Sequence, residues 1–381
     1  MMTRGDPVNA KSRLSVGLAC DGDTYRRYVD PVDVARLQAV AEFSYRSFSG
    51  GSRLAGPGRR DPDAERDLAE FAASLDALLV CHGAPFVSDE VMAGAPDLVL
   101  LGELEGDRFG YHLDLGAAQA RDIRVVDTSH GSSWPTAEWA LALALTGLRN
   151  AGYYFRRLIA HQSAFDSGVR PRSGPGYDGA ELTGRRIGMI GFGRLARRLT
   201  ELLRPFRTDI VAFDPHAPRD LAEAYDITFG SLEAVLDRDL VFCLVPLTPV
   251  TQGMIGEPEM CRLRPGSVFV NVSRGKVVDS AALLARLQHR DLVACLDVFD
   301  PEPIPADSPL LDLPNVFVSP HIGGVTEESR RRFFSLMVDE CLRVFGGLEP
   351  RNELVPDVVR LRTSATSTGT GGATRHPVST T

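Results

Sequence analysis

The chain lacks a long apolar segment. Its longest apolar run, Trp139 to Leu145, is far shorter than the roughly 20 residues that cross a bilayer. It also lacks an excess of positive charge, since the net charge is −8, which argues against a nucleic acid or a membrane as partner. The first residues are polar and contain no apolar signal-peptide core, so the sequence predicts a cytoplasmic protein.

Cysteine is scarce and scattered. No two cysteines form a C-x-x-C pair, and no histidines and cysteines cluster with the spacing of a metal site. We therefore expect no metal ion and no disulfide framework. Reduced thiols in the protein core are the expectation for Cys20, Cys81, Cys243, Cys261, Cys295 and Cys341.

The composition is that of a soluble globular protein large enough for two domains. The chain has 381 residues, of which 44% are hydrophobic and 24% charged. Short apolar runs alternate with helical segments along most of it, which predicts an α/β protein with parallel sheets covered by helices on both faces. Two longer helices are predicted over 136–162 and 327–345. The terminal segments 1–12 and 359–381 are expected to be disordered.

A dinucleotide-binding pattern lies near the middle of the chain. After an apolar strand comes Gly191-Phe192-Gly193-Arg194-Leu195-Ala196, which has the form G-x-G-x-x-A and precedes a helical pattern. Gly191 suits a tight turn, and Gly193 would let a pyrophosphate approach the backbone at the helix N terminus. The next strand ends in Asp214, whose carboxylate suits free ribose hydroxyls and repels a 2′-phosphate. The pattern therefore predicts NAD rather than NADP.

Polar residues follow three later strands at their carboxyl ends, where ligands bind in open parallel sheets. They are Arg274, then Asp297 with Glu302, and then His321. An arginine fork can bind a carboxylate at two points, and a histidine is a natural acid–base near neutral pH. A carboxylate beside the imidazole would favour its charged form. This set suits the interconversion of a 2-oxo acid and a 2-hydroxy acid.

Each of these residues also has an ordinary structural explanation when it is taken alone. Arg274 could be a surface arginine in a turn, and Glu302 a solvated residue of a proline-rich loop. His321 could be a hydrogen-bonded structural histidine, and Asp297 a cap of the following turn. Their occurrence together, after a nucleotide pattern, favours the catalytic interpretation.

The blocks VPLTPVTQGMI, VNVSRGKVVDSAAL, LDVFDPEP and SPHIGGVT follow GFGRLA in order, and with them the sequence resembles the D-isomer-specific 2-hydroxyacid dehydrogenases. The resemblance runs from about Asp114 to Val355. It implies NAD as cofactor, a small 2-oxo or 2-hydroxy acid as substrate, and Arg274, Glu302 and His321 as catalytic residues. Cofactor contacts are implied at Gly191, Gly193, Arg194, Leu195, Asp214, Pro246, Thr251, Val272, Asp297 and Gly324.

The resemblance also implies a domain arrangement. A Rossmann NAD-binding domain (132–324) would be inserted into a flavodoxin-like substrate domain (13–131 and 325–358), with the substrate in the cleft between them. Members of the family are commonly homodimers, with the long helix after Trp134 at the interface. The family's glycine-rich turn before Asp114 is replaced here by GDRFGYHLD, which includes Arg108 and Tyr111 and would face the substrate.

Two other functions fit the same scaffold. The C-terminal binding protein corepressors resemble this family and use the nucleotide as a ligand for assembly, so the chain could be an NAD(H)-sensing binding protein. Formate dehydrogenases also resemble it, but they place Gln where Glu302 stands here, which disfavours that reaction. The sequence does not name the 2-hydroxy acid.

Overall fold

The computed structural model describes residues 13–49, 60–106, 109–162 and 179–363. The predicted tail 1–12, residues 364–381 and Arg108 lie outside these ranges. The described residues form twelve strands: β1 (Leu14–Cys20), β2 (Ala41–Ser47), β3 (Ala77–Val80), β4 (Leu100–Glu103), β5 (Arg124–Asp127), β6 (Arg186–Ile190), β7 (Asp209–Phe213), β8 (Thr228–Phe229), β9 (Leu240–Cys243), β10 (Val268–Asn271), β11 (Val293–Leu296) and β12 (Val316–Val318).

The same residues form fourteen α-helices. They are α1 (Gly22–Tyr28), α2 (Pro31–Gln38), α3 (Pro62–Ala72), α4 (Asp89–Ala93), α5 (Leu115–Ala120), α6 (Ser133–Leu148), α7 (Ala151–Ile159), α8 (Arg194–Leu203), α9 (Leu221–Tyr225), α10 (Leu232–Leu236), α11 (Glu257–Arg262), α12 (Ser280–Gln288), α13 (Glu327–Phe345) and α14 (Pro356–Thr363). Among the described residues, no helix is both long and apolar enough to cross a membrane.

The two sheets are parallel throughout. The first has the strand order β2-β1-β3-β4-β5, and the second has the order β12-β11-β10-β9-β6-β7-β8. The first order is that of a flavodoxin-like sheet. The second is a Rossmann order, reversing at β6, with one further strand. The predicted fold class is confirmed, and the near-continuous burial of β3, β9, β10 and β11 shows why their sequences are apolar rather than alternating.

In chain order, the second sheet lies between two parts of the unit that contains the first sheet. All of β6 to β12 lies between β5 and α13, and α13 then packs back onto the first sheet. Phe333, Phe334 and Met337 of α13 are buried against Val16 and Leu18 of β1. The exact domain limits proposed from the sequence stay a prediction.

The predicted helix over 136–162 is wrong as one element. The structure breaks it into α6 and α7, with Asn150 in the left-handed region at φ 44°. The Leu148 carbonyl accepts from the distant Ala180 N–H at 2.7 Å instead of continuing the helix. Asparagine tolerates the left-handed conformation better than most residues, which allows the break at this point.

Two smaller expectations also need correction. The predicted disordered tail from 359 begins too early, because α14 continues to Thr363. Five of the six cysteines are buried as expected, but Cys261 is exposed.

Candidate active site

The dinucleotide pattern forms a tight turn between β6 and α8. Gly191 has φ +93°, and an added Cβ would lie 2.8 Å from Val245 Cγ1, so this position requires glycine for both conformation and space. At Gly193, the N-cap of α8, an added Cβ would meet no atom within 4 Å. No side chain caps α8, so the open space over its N terminus suits a pyrophosphate.

Asp214 lies beside this turn. Its Oδ2 accepts from Phe192 N at 2.8 Å, and its Oδ1 accepts from His216 N and Ala217 N at 2.8 and 3.0 Å. The carboxylate therefore orders the turn, and its remaining lone pairs are those that ribose hydroxyls would use.

The other predicted cofactor contacts surround the same edge of the sheet. Arg194 Nη2 donates to Asn352 Oδ1 at 2.8 Å, so the side chain also ties the first turn of α8 to the segment after α13. The Thr251 hydroxyl donates to the Pro246 carbonyl at 2.6 Å and holds the loop after β9. Leu195 is partly buried in the core, and Val272, just after β10, is 5% exposed.

Arg274 follows β10 in an extended conformation, and its Nη1 donates to the Ser273 carbonyl at 2.8 Å. The neighbouring Gly275 is required for a steric reason, because a Cβ there would lie 1.8 Å from the Phe299 carbonyl oxygen. Gly275 thus lets the turn bearing Arg274 press against the start of the loop that carries Glu302.

Asp297 is 2% exposed and accepts four hydrogen bonds. Its Oδ1 accepts from Trp139 Nε1 at 3.2 Å, from the Ser319 hydroxyl at 2.6 Å and from Ile322 N at 3.0 Å. Its Oδ2 accepts from Gly323 N at 2.9 Å. The carboxylate therefore holds the loop that carries His321. Sequence analysis missed Trp139, which lies on α6.

His321 and Glu302 meet at the surface of the protein. His321 Nδ1 and Glu302 Oε1 are hydrogen-bonded, and the two side chains are 38% and 36% exposed. His321 adopts φ +53°, a left-handed conformation that is uncommon for a residue with a side chain. The ends of β11 and β12 thus bring together the two residues proposed as an acid–base pair, although 19 positions separate them.

A polar cluster that the sequence did not predict lies on the first-sheet side. Ligating atoms of Cys81, His82 and Glu105 lie within 4.8 Å of one another, and the Tyr28 hydroxyl donates to the same Glu105. Burial raises the pKa of the Cys81 thiol well above its ordinary value, which disfavours the thiolate that a metal needs. Glu105 and Gly324, a predicted cofactor contact, line one pocket.

Comparison with known proteins identifies the family. The NAD-binding domain of D-isomer specific 2-hydroxyacid dehydrogenases matches residues 141–323. A glyoxylate reductase of Korarchaeum cryptofilum is 31% identical over 307 residues, which are 79% of this chain and 89% of that protein. D-3-phosphoglycerate dehydrogenase of Mycobacterium tuberculosis is 33% identical over 305 residues, or 79% of this chain, but the match spans only 54% of that protein.

A solved structure shows the same fold. It is that of a D-isomer specific 2-hydroxyacid dehydrogenase from Lactobacillus delbrueckii ssp. bulgaricus in its NAD complexed form. The TM-score is 0.68 at 20% identity, and the match covers 90% of this chain and all of the other.

These likenesses define the class as NAD-dependent oxidoreductases that act on a CH–OH group. The chain belongs to the D-isomer specific 2-hydroxyacid dehydrogenase family, and its cofactor is NAD. The open N terminus of α8 and the carboxylate beside it fit that nucleotide.

Proposed function

We propose that the protein interconverts a 2-oxo acid and a D-2-hydroxy acid, with Arg274 binding the carboxylate and His321 and Glu302 acting as an acid–base pair. The observation that carries the proposal is the hydrogen bond between His321 and Glu302. The loop that carries Glu302 begins in close contact with Gly275, next to Arg274. Bound NADH supplies the hydride for reduction.

Arg274 binds the substrate carboxylate through its planar guanidinium. Two parallel N–H donors match two carboxylate oxygens, which fixes the orientation of the acid. The same cation polarises the adjacent carbonyl, and this interaction strengthens as negative charge develops on the oxygen.

His321 holds the proton that reduction requires. Glu302 accepts from Nδ1, which leaves Nε2 as the nitrogen that donates to the substrate oxygen. In oxidation the same nitrogen accepts the proton. Glu302 therefore orients the imidazole ring, and Asp297 holds the backbone that follows His321 through Ile322 N and Gly323 N.

The quaternary proposal is a homodimer that buries α7. Three large apolar side chains of this helix are exposed: Phe155 at 61%, Leu158 at 54% and Ile159 at 60%. Such a patch is typical of an interface. Light scattering should give a dimer for the parent and a monomer for Phe155→Ser. Val32→Ser, at an apolar residue 69% exposed elsewhere, is the control and should remain dimeric.

The central experiment measures NADH oxidation with glyoxylate, pyruvate, hydroxypyruvate and bulkier 2-oxo acids, with the chirality of the product determined. We expect turnover to a D-product, a preference for NADH over NADPH, and a loss of about 10²–10⁴ in kcat for His321→Ala. NADH binding, followed by its fluorescence, should be unchanged in that variant. Tight NADH binding without turnover of any acid would favour the corepressor-like alternative.

A further inference from the structure

A pocket of about 250 Å³ lies on the first-sheet side of the proposed site. Tyr28, His82, Glu105 and Arg330 are among its lining residues, together with Gly324, three positions after His321. Gly324 belongs to the loop that carries His321, whereas the other four residues take no part in the proposed acid–base pair. The pocket therefore adjoins the proposed site and offers space for the part of a substrate that does not react.

Glu105 is held in this pocket by one of its two oxygens. Oε2 accepts from the Tyr28 hydroxyl at 2.5 Å and lies 3.0 Å from His82 Nε2. The Glu105 side chain is 32% exposed, and within the described part of the chain its Oε1 has no hydrogen bond. One carboxylate oxygen is thus fixed, and the other is available to a ligand.

Charge connects Glu105 to the proposed carboxylate-binding residue. Burial alone would raise the pKa of the Glu105 carboxyl, but the hydrogen bond and charge of His82, the Tyr28 hydroxyl and the charge of Arg274 together lower it below its ordinary value. Glu105 is consequently an anion at neutral pH. Gly324 lines the same pocket and lies three positions after His321, so the pocket adjoins the loop of the proposed acid–base pair.

An anionic carboxylate in that position restricts the substrate. A carboxylate only accepts hydrogen bonds, so it stabilises a hydroxyl or an ammonium and repels a second anion. Two lining arginines oppose this effect, but Arg27 is paired with Asp23 at 3.1 Å. Arg330 has no ion pair among the residues described. Its side chain is partly exposed, so solvent screens its attraction for an anion in the pocket.

We propose that Glu105 selects 2-oxo acids whose substituent donates a hydrogen bond, and that it disfavours those with a second negative charge. The inference rests on the proposed function and adds the substrate class to it. Tyr28 and His82 act as positioning residues, because they fix Oε2 and so determine where Oε1 lies.

The test compares kcat/KM for three acids that differ at one carbon: pyruvate, hydroxypyruvate and 3-phosphohydroxypyruvate. The parent should prefer hydroxypyruvate to pyruvate by roughly 10- to 100-fold, the usual effect of one hydrogen bond to a charged group. Glu105→Gln should lower this preference about tenfold, mainly through KM, and should relax the discrimination against the phosphorylated acid. Tyr28→Phe should act in the same direction by about three- to tenfold.

Glu70→Gln, the same change at an exposed position on α3, should leave both ratios within about twofold of the parent. Unchanged ratios in Glu105→Gln and Tyr28→Phe, with pyruvate still turned over, would overturn this inference alone. A parent that prefers the phosphorylated acid would do the same, as would ratios that collapse on addition of a metal chelator. Absence of turnover with every acid would sink the proposed function and this inference with it.

Discussion

Replacing Asp297 with asparagine removes one negative charge from beneath the proposed site and leaves the shape of the side chain nearly unchanged. The carboxylate is 2% exposed and accepts from Trp139, Ser319, Ile322 and Gly323. An asparagine has nearly the same shape but only one accepting oxygen. If that oxygen takes the Oδ1 position, the amide nitrogen faces the Gly323 N–H, donor against donor.

The expected loss of stability follows from what happens to these four hydrogen bonds. One charge-assisted hydrogen bond is lost, at about 1.5–3 kcal/mol, and a buried N–H is left without a partner. Three further bonds weaken because their acceptor becomes neutral. We expect Asp297→Asn to reduce the free energy of unfolding by about 2–4 kcal/mol, which corresponds to a Tm lowered by about 5–15 °C in a domain of this size.

The assay is thermal unfolding with and without NADH, together with kcat. Asp300→Asn, the same change at an exposed position three residues later, is the control and should stay within about 1 °C of the parent. We also expect kcat to fall at least tenfold, because the loop that bears His321 loses its anchor. A Tm equal to that of the control, with only NADH affinity reduced, would refute the anchoring role and leave Asp297 as a cofactor contact.

The remaining predictions concern the neighbouring turn and one surface pair. Arg274→Lys should raise KM for the 2-oxo acid and lower kcat without changing NADH affinity, and near-parental kinetics would place Arg274 outside the substrate site. Gly275→Ala should destabilise by on the order of 3 kcal/mol, because a Cβ would meet a backbone oxygen at 1.8 Å; Gly116→Ala, which meets no atom closer than 3.4 Å, should not. Asp239 has its pKa lowered by the hydrogen bond from Arg186, so it stabilises above the unfolded-state pKa of about 3.9 and loses this effect as pH falls. Asp239→Asn should therefore cost about 0.5–1 kcal/mol at pH 7, and the Tm difference should shrink by about pH 3.

The sequence located the nucleotide turn and the three strand ends because their signals are local. The turn needs a residue at φ +93°, which favours glycine, so the sequence itself marks the position of the turn. Parallel strands bring their carboxyl ends to one edge of the sheet, so polar residues that follow them are expected to lie together. The break between α6 and α7 depends instead on the Leu148 carbonyl and the Ala180 N–H, which are distant in sequence. No periodicity within the helix reveals it.

The hydrogen bond from Trp139 to Asp297 spans 158 positions, and the cluster around Glu105 draws on α1 and on the segments after β3 and β4. Such contacts depend on how the strands and helices are arranged in space. The sequence pattern predicts the fold class but not these individual contacts. The roles of the site residues remain predictions that the kinetic experiments test.

The nested order of the chain has a consequence for its synthesis. The face of β1 that holds Val16 and Leu18 is covered by Phe333, Phe334 and Met337, and the ribosome makes these only after the whole second sheet. About 315 residues separate Leu18 from Phe333, so at roughly 5–20 residues per second that face waits on the order of 16–63 s for its covering helix. A nascent chain stalled before α13 should therefore bind holdase chaperones through its first sheet while β6 to β12 is already protected from protease.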